Sequence, residues 1–278
     1  MKFNFSKWHG LGNDFVIVNG LEEKIDNYNE VAIKVCDRNF GIGADGLVVI
    51  LPSQIADFEM RIFNSDGSEA EMCGNVTRCI ARYVFEYGLT NKKKITLETK
   101  AGIIKPELIF IDNVLSTIRV DMGEPRLKRG EIPMTGTENE QVINESLLVD
   151  GAEYRITCVS MGNPHCILFV DDITSIDLCD LGSKIETHAT FPRKTNVEFV
   201  QVLNKQKLRM RVWERGAGIT MACGTGACAT LVAAVLNGKT DRQATVELDG
   251  GELLIEWGLD NHIYMSGPAV EVFRGQYL

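Results

Sequence analysis

The sequence predicts an α+β protein of two pseudo-symmetric lobes, each an antiparallel β-sheet or barrel wrapped around a central helix. Three observations carry this. The first is an internal duplication: Met72-Cys73-Gly74-Asn75 returns as Ala222-Cys223-Gly224-Thr225, with 223 − 73 = 150 positions between the cysteines. The same offset lays Gly12-Asn13 on Gly162-Asn163, Met60-Arg61-Ile62-Phe63 on Met210-Arg211-Val212-Trp213, and Gly88 and Thr90 on Gly238 and Thr240. Thr96, Glu98 and Gly102 match Thr245, Glu247 and Gly251 at an offset of 149. A register held through five segments marks a repeated unit. The second observation is the length, 278 residues, which suits two lobes of roughly 120 to 140 residues. The third is a single long helical pattern directly after each cysteine, set among short strand-like runs.

The first lobe is expected over residues 1–122. Strands at 3–7 and 15–18 flank the turn His9-Gly10-Leu11-Gly12-Asn13-Asp14. A helix follows from about Asn29 to Arg38, with Val31, Val35 and either Ala32 or Ile33 at helical spacing. Gly46 to Leu51 reads as a buried strand, and Phe58, Met60 and Ile62 alternate with Glu59 and Arg61 as a second. A polar loop, 64–71, leads to Cys73. From Gly74 the pattern turns helical, with Val76, Ile80, Val84 and Tyr87 on one face and Gly88 as the left-handed cap. Strands at 95–99, 103–109 and 116–122 complete the lobe.

The second lobe is expected over 123–265, entered by a polar linker to about Asn144, with 266–278 a tail packing back on the first lobe. Its order repeats: a strand at 155–159, a turn at 161–165, a strand at 166–170, a helix at 178–186, strands at 196–203 and 208–213, a loop at 214–220, a helix at 224–237 and a hairpin at 245–257. The helix beginning at Gly224 is apolar on nearly every face, so it must be buried all round.

Bulk properties exclude several classes. A net charge of −9 leaves no basic face for phosphates, which argues against a nucleic-acid partner. The longest apolar run, Ala227 to Leu236, is far short of the roughly 20 residues of a membrane span. No secretory pattern precedes Trp8-His9-Gly10, so the expected compartment is the cytoplasm. There the eight cysteines are expected as reduced thiols. No CxxC pair occurs and the remaining spacings do not fit a zinc knuckle, so no metal is expected.

A thiol at a helix N-terminus feels the positive end of the dipole and unpaired amide donors, both of which favour thiolate. Cys73 and Cys223 each hold that position, and the repeat sets them apart from Cys36, Cys79, Cys158, Cys166, Cys179 and Cys228, which are read as packing residues. Two proton-transfer groups on opposite faces of a carbon are what stereoinversion requires. The amides at Gly74-Asn75 and Gly224-Thr225 suit a substrate carboxylate and the charge growing on it. Other residues carry two readings: Asn13 and Asn163 as turn formers or substrate ligands, His165 as a satisfied turn histidine or a group tuning a thiol, and Glu214-Arg215 as a surface ion pair or a clamp for an amino acid's ammonium and carboxylate.

With these motifs in place, the sequence resembles the diaminopimelate epimerases, a family of pyridoxal-independent two-cysteine enzymes. The resemblance runs through His9 to Phe15, Gly41 to Asp45, Phe63 to Ser68, Met72 to Asn75, Met161 to His165, Thr195 to Phe199 and Trp213 to Ala227. Proline racemases are similar in fold and dyad, but typically have His where this chain has Asn75. The resemblance implies Cys73 and Cys223 as the acid/base pair, with His165 and Glu214 influencing their protonation. It implies Gly74, Asn75, Gly224 and Thr225 at the reacting end of the substrate, and Asn13, Asn64, Asn163, Asn196, Glu214 and Arg215 as further contacts. It also implies LL- and meso-diaminopimelate as the substrate pair, no cofactor, a role in lysine and peptidoglycan precursor synthesis, and a homodimer. Gly46 stands where some members have a substrate-contacting Gln, and Val76-Thr77 replaces a usual small pair. The alternatives are a racemase of histidine or proline, and a non-catalytic thiol or metal-binding protein.

Overall fold

A computed structural model describes residues 2–278. The chain forms two units: the first runs as far as Asp121 and takes in Ser266–Leu278, and the second is Met122–Met265.

In the first unit the strands are β1 (Phe3–Gly10), β2 (Asn13–Asn19), β3 (Gly46–Leu51), β4 (Phe58–Asn64), β5 (Glu69–Ala70), β6 (Leu97–Thr99), β7 (Gly102–Ile104), β8 (Glu107–Ile111) and β9 (Val114–Asp121). The second unit holds β10 (Glu145–Val149), β11 (Ala152–Ser160), β12 (Pro164–Phe169), β13 (Asn196–Asn204), β14 (Lys207–Glu214), β15 (Gly218–Thr220), β16 (Gln243–Leu248) and β17 (Gly251–Trp257). The chain then passes through β18 (Ile263–Gly267) to β19 (Val270–Tyr277). The helices are α1 (Tyr28–Cys36), α2 (Gly74–Glu86), α3 (Leu178–Glu186) and α4 (Gly224–Leu236).

The first unit's sheet has the order β19-β1-β2-β3-β4-β6-β7 with β5 on β4, and β8 and β9 form a hairpin. The second runs β10-β11-β12-β13-β14-β16-β17 with β15 on β14. Helix α2 packs against β1, β8 and β9, whereas α4 packs against β11, β12, β13, β16 and β17. Residues Gly226 to Ala234 of α4 are all buried, the fate its uniformly apolar sequence requires. Helix α1 covers β3 and β4 and shields a core of Val16, Val18, Leu47, Val49 and Phe63; Ala32 faces inward and Ile33 outward.

The repeat is carried by the backbone. Phe15 pairs with Gly46 between β2 and β3, and His165 with Asn196 between β12 and β13, each partner displaced by 150. Leu47 opposite Phe63 becomes Val197 opposite Trp213. Helices α1 and α3, and α2 and α4, start and stop 150 residues apart. The special backbone angles repeat as well: Gly88 and Gly238 end α2 and α4 at φ 71° and 65°, a left-handed cap that costs glycine little.

The α+β class and the helix-centred sheets agree with the sequence, but the sheets are mixed. The pairs β2–β3, β4–β6, β12–β13 and β14–β16 are parallel. Each is joined through one of the helices α1 to α4, and a crossover helix brings the chain back in the same direction. Several local expectations also differ. The expected strand 103–109 is split at Lys105-Pro106, because proline has no N–H to donate to a ladder. Short strands β5 and β15 lie inside the two loops that precede the cysteines, and His165 is in β12 rather than in the turn before it. The expected linker is not a bare connection: Ile132, Met134 and Val142 are buried in the second unit's core with Leu147, Ile156 and Phe199.

Candidate active site

Both repeat cysteines are helix N-caps in extended backbone, Cys73 before α2 and Cys223 before α4. The extended cap leaves the first amides of each helix without intrahelical acceptors. Strands β4 and β14 deliver the chain to these caps through the β5 and β15 turns, so each cysteine's place is set by its sheet.

In the first unit the thiol faces a fixed asparagine. Asn13 Nδ2 donates to Asp45 Oδ2 at 2.7 Å, which turns its Oδ1 toward Asn75 Nδ2 at 3.0 Å and Cys73 Sγ at 3.7 Å. Arg78, fully buried on α2, closes the far side: Nη2 donates to Asn75 Oδ1 at 2.8 Å, Nε to Pro268 O at 3.1 Å and Nη1 to Gly74 O at 3.4 Å. Asp45 is held in turn by Arg38, which also bonds Asp14, and Asp14 pairs with the buried Lys7 at 2.7 Å. Burial alone would raise the Asp14 carboxyl, but the hydrogen bonds and charges of Arg38 and Lys7 outweigh it and hold it at about 2. That depression stabilises the folded unit above the ordinary carboxylate range and is lost as pH falls toward 2. Asp14→Asn is therefore expected to cost about 1 to 2 kcal/mol at neutral pH, after allowance for solvent screening, and to flatten stability between pH 4 and pH 2. Urea unfolding at pH 7 and pH 3 measures it; an equal loss at both would show that Asp14 acts by packing alone.

The second unit surrounds its cysteine with charge. His165 Nδ1 lies 2.7 Å from Glu198 Oε1 and Nε2 lies 3.0 Å from Asn163 Oδ1, with both His165 and Glu198 fully buried. Asn163 Nδ2 donates to Thr225 Oγ1 at 3.2 Å, and Thr225 Oγ1 lies 3.5 Å from Cys223 Sγ. The Gly226 amide donates to the same sulfur at 3.4 Å. Burial, then the charges of Glu214 and Glu198, push the Cys223 thiol well above its ordinary value, against the hydrogen bonds from Thr225 and Gly226. Burial also pushes the Glu214 carboxyl up, partly offset by the Thr220 hydroxyl that donates to it. One donor atom each of His165, Glu198 and Cys223 falls within a 4.8 Å spread, yet both imidazole nitrogens are already committed to Glu198 and Asn163.

The remaining residues read as contacts are placed less uniformly. Asn64 is exposed and donates to Ser68 Oγ at 2.9 Å. Asn196 is buried and spends its amide inside the unit, donating to Pro164 O at 2.8 Å and accepting from the Arg215 amide at 2.9 Å. It orients the Arg215 turn, which Glu186 also holds through Gly216 N at 3.1 Å and Trp213 Nε1 at 2.7 Å. Arg215 itself is exposed, with Nη1 on Arg193 O at 3.2 Å. Among the other thiols, burial pushes Cys36 and Cys79 up to about 12 and Cys166 well above the usual range, which suits packing residues.

Sequence reasoning missed Arg78 and Glu198. Glu198 had a signal: 198 − 150 = 48, and the equivalent residue is Val48, so a charge stands where the repeat has an apolar side chain. The structure also accounts for Val76. A Cβ on Gly226 would lie 2.6 Å from Glu198 Oε1, whereas at the equivalent position 76 the first unit has Val48 in place of the glutamate and a fully buried valine fits.

A diaminopimelate epimerase family model matches residues 5–128 and 157–272, taking in both cysteine motifs. The chain belongs to the diaminopimelate epimerase family. It is 57% identical to the diaminopimelate epimerase of Pelotomaculum thermopropionicum over 99% of this chain and 98% of that one, and 57% identical to that of Moorella thermoacetica over 99% of each. Among solved structures, the Bacillus anthracis phenazine biosynthesis protein of the PhzF family aligns over 100% of this chain and 99% of its own, with a TM-score of 0.74 at 19% identity. The diaminopimelate epimerase match is thus one of sequence along the whole chain, and the PhzF likeness one of fold.

Proposed function

We propose that this protein is a cofactor-independent epimerase that interconverts LL- and meso-diaminopimelate by proton transfer at one α-carbon. The observation that carries the reading is the pair of N-cap cysteines at equivalent places in a duplicated fold, within a chain matched along both repeats by the diaminopimelate epimerase family. One thiolate removes the α-proton and the other thiol supplies a proton to the opposite face. The amides of Gly74 and Asn75 at the start of α2 and of Gly224 and Thr225 at the start of α4, which have no intrahelical acceptors, take the α-carboxylate and stabilise charge as the α-carbon loses its proton. Thr225 and Asn75 shape the reacting end. Asn13 and Asn163 position the thiols, with His165 and Glu214 biasing their protonation.

Asn64 and Arg215, both exposed, receive the distal amino acid centre, where a guanidinium suits a carboxylate. Asn196 acts through the Arg215 backbone that it holds. The enzyme serves lysine and peptidoglycan precursor synthesis, as a homodimer in the cytoplasm. Among the described residues no helix is long and apolar enough to cross a membrane.

The test is incubation of reduced protein with stereopure LL-diaminopimelate in D₂O. Meso product carrying deuterium at the inverted α-carbon is the expected result. Folded, reduced protein that gives neither exchange nor meso isomer would remove diaminopimelate as substrate, and a panel including histidine and proline would follow.

A further inference from the structure

The repeat gives the two units equivalent cysteines but unequal surroundings. In the first unit, Asn13 is locked by Asp45 so that an acceptor oxygen faces Cys73. In the second unit the equivalent asparagine, Asn163, is tied on its oxygen side to His165 and turns its amide nitrogen toward Thr225. What fixes that direction is the imidazole. If Nε2 carries a hydrogen, it needs the Asn163 oxygen; if it does not, it needs the amide nitrogen, and every bond beyond it reverses.

Glu198 decides between these states. Its carboxylate is fully buried, accepts from Nδ1 at 2.7 Å, and its Oε2 has no hydrogen-bond partner among the described residues. Folding does not require such a group here. The first unit fills the equivalent position with Val48, and a half-satisfied buried carboxylate is a liability in a sheet. It is retained with a space cleared for it, since a Cβ on Gly226 would collide with Oε1 at 2.6 Å.

We propose that Glu198 is a positioning residue: by keeping both ring nitrogens of His165 protonated, it sets the direction of the hydrogen-bond chain through Asn163 and Thr225, so that a hydroxyl hydrogen points at the Cys223 sulfur. Thr225 accepts from Asn163 and therefore has its own hydrogen to give, and the Gly226 amide supplies a second donor. These two donors oppose the burial and carboxylate charge that push the Cys223 thiol up, and so favour its passage to thiolate, whereas Cys73 faces an acceptor suited to a thiol proton. The titratable groups packed around this chain are Glu214 from β14, Cys166 from β12 and Cys158 from β11, besides Glu198 and Cys223 themselves. The inference rests on the proposed acid/base use of Cys223 but on no particular substrate.

Its test therefore uses no substrate. Alkylation of Cys223 by iodoacetamide, read at its own peptide by mass spectrometry across pH, reports the thiolate midpoint in the full chain. Glu198→Gln is expected to raise that midpoint by about one unit, leaving tenfold less thiolate at neutral pH, because the one proton left on the neutral imidazole stays on Nδ1 against the new side chain's carbonyl oxygen, and the bare Nε2 turns Asn163 and takes the hydroxyl away from sulfur. A residue acting only through its negative charge gives the opposite sign, since removing that charge lowers the midpoint. A lowered or unchanged midpoint overturns the proposal. Nitrogen-15 spectra of His165, assigned with His165→Gln, should show two ring protons in the native chain and one in Glu198→Gln. A single proton in the native ring would also overturn it.

Discussion

Cys73→Ala and Cys223→Ala are each expected to lower kcat for epimerisation by about 10³-fold or more, because in the proposed mechanism each thiol supplies one of the two proton transfers and general acid/base groups are worth roughly 10² to 10⁴ apiece. The double variant is expected to be scarcely worse than either single one, since groups that act as a unit lose their effect together. Progress curves from LL-diaminopimelate, with folding checked by circular dichroism, make the measurement. Two multiplicative losses would mean that the cysteines work independently, and a near-native rate in either single variant would remove that thiol from the mechanism. Both residues cap helices, but Cys73 makes no side-chain cap bond and Cys223 only one at 3.4 Å, so stability should change little.

Arg78→Met is expected to have the largest effect on stability. The side chain is fully buried and its guanidinium serves Pro268 O, Gly74 O and Asn75 Oδ1 in three directions. Methionine fills the space but leaves those acceptors without their donor, a loss of about 3 to 5 kcal/mol. For a chain of this size that corresponds to a fall in Tm of roughly 10 °C. Because Asn75 is released as well, Asn13 loses part of its hold, and activity at low temperature should fall before the fold is lost. A Tm within about 2 °C of the native value would show that solvent takes over these acceptors. Lysine should rescue little, since one ammonium cannot reach acceptors spread around a planar fork.

The elements that the sequence made legible are those whose cause is local. Gly88 and Gly238 end α2 and α4 because each must adopt a left-handed backbone, and the offset of 150 transfers every boundary of one helix to the other. The parallel pairing of β2 with β3 was missed, since the sheets were expected to be antiparallel and alternation does not carry strand direction, although the helix α1 between the two strands requires it. Strands β5 and β15 are two and three residues long, too short for any periodicity. The role of Arg78 was not legible in the sequence, because one of its acceptors, Pro268 O, is 190 positions away. Asn196 was read as a ligand from its motif, and only the structure shows its amide divided between Pro164 and Arg215. Glu198 was legible only by laying one repeat on the other and asking why valine had become glutamate.

The pairing of β19 with β1 bears on how the chain is made. Tyr277 lies opposite Phe3, and Val270 opposite His9, so β1 leaves the ribosome long before the strand it pairs with. Pro268 and Ala269, the acceptors for Arg78 and Arg82 of α2, arrive equally late. The second unit has all of its strands from β10 to β17 in one continuous stretch and can close while the first is still missing an edge. During synthesis the usual N-to-C order of domain completion is thus expected to be inverted, and α2, the helix that Cys73 caps, to be secured late.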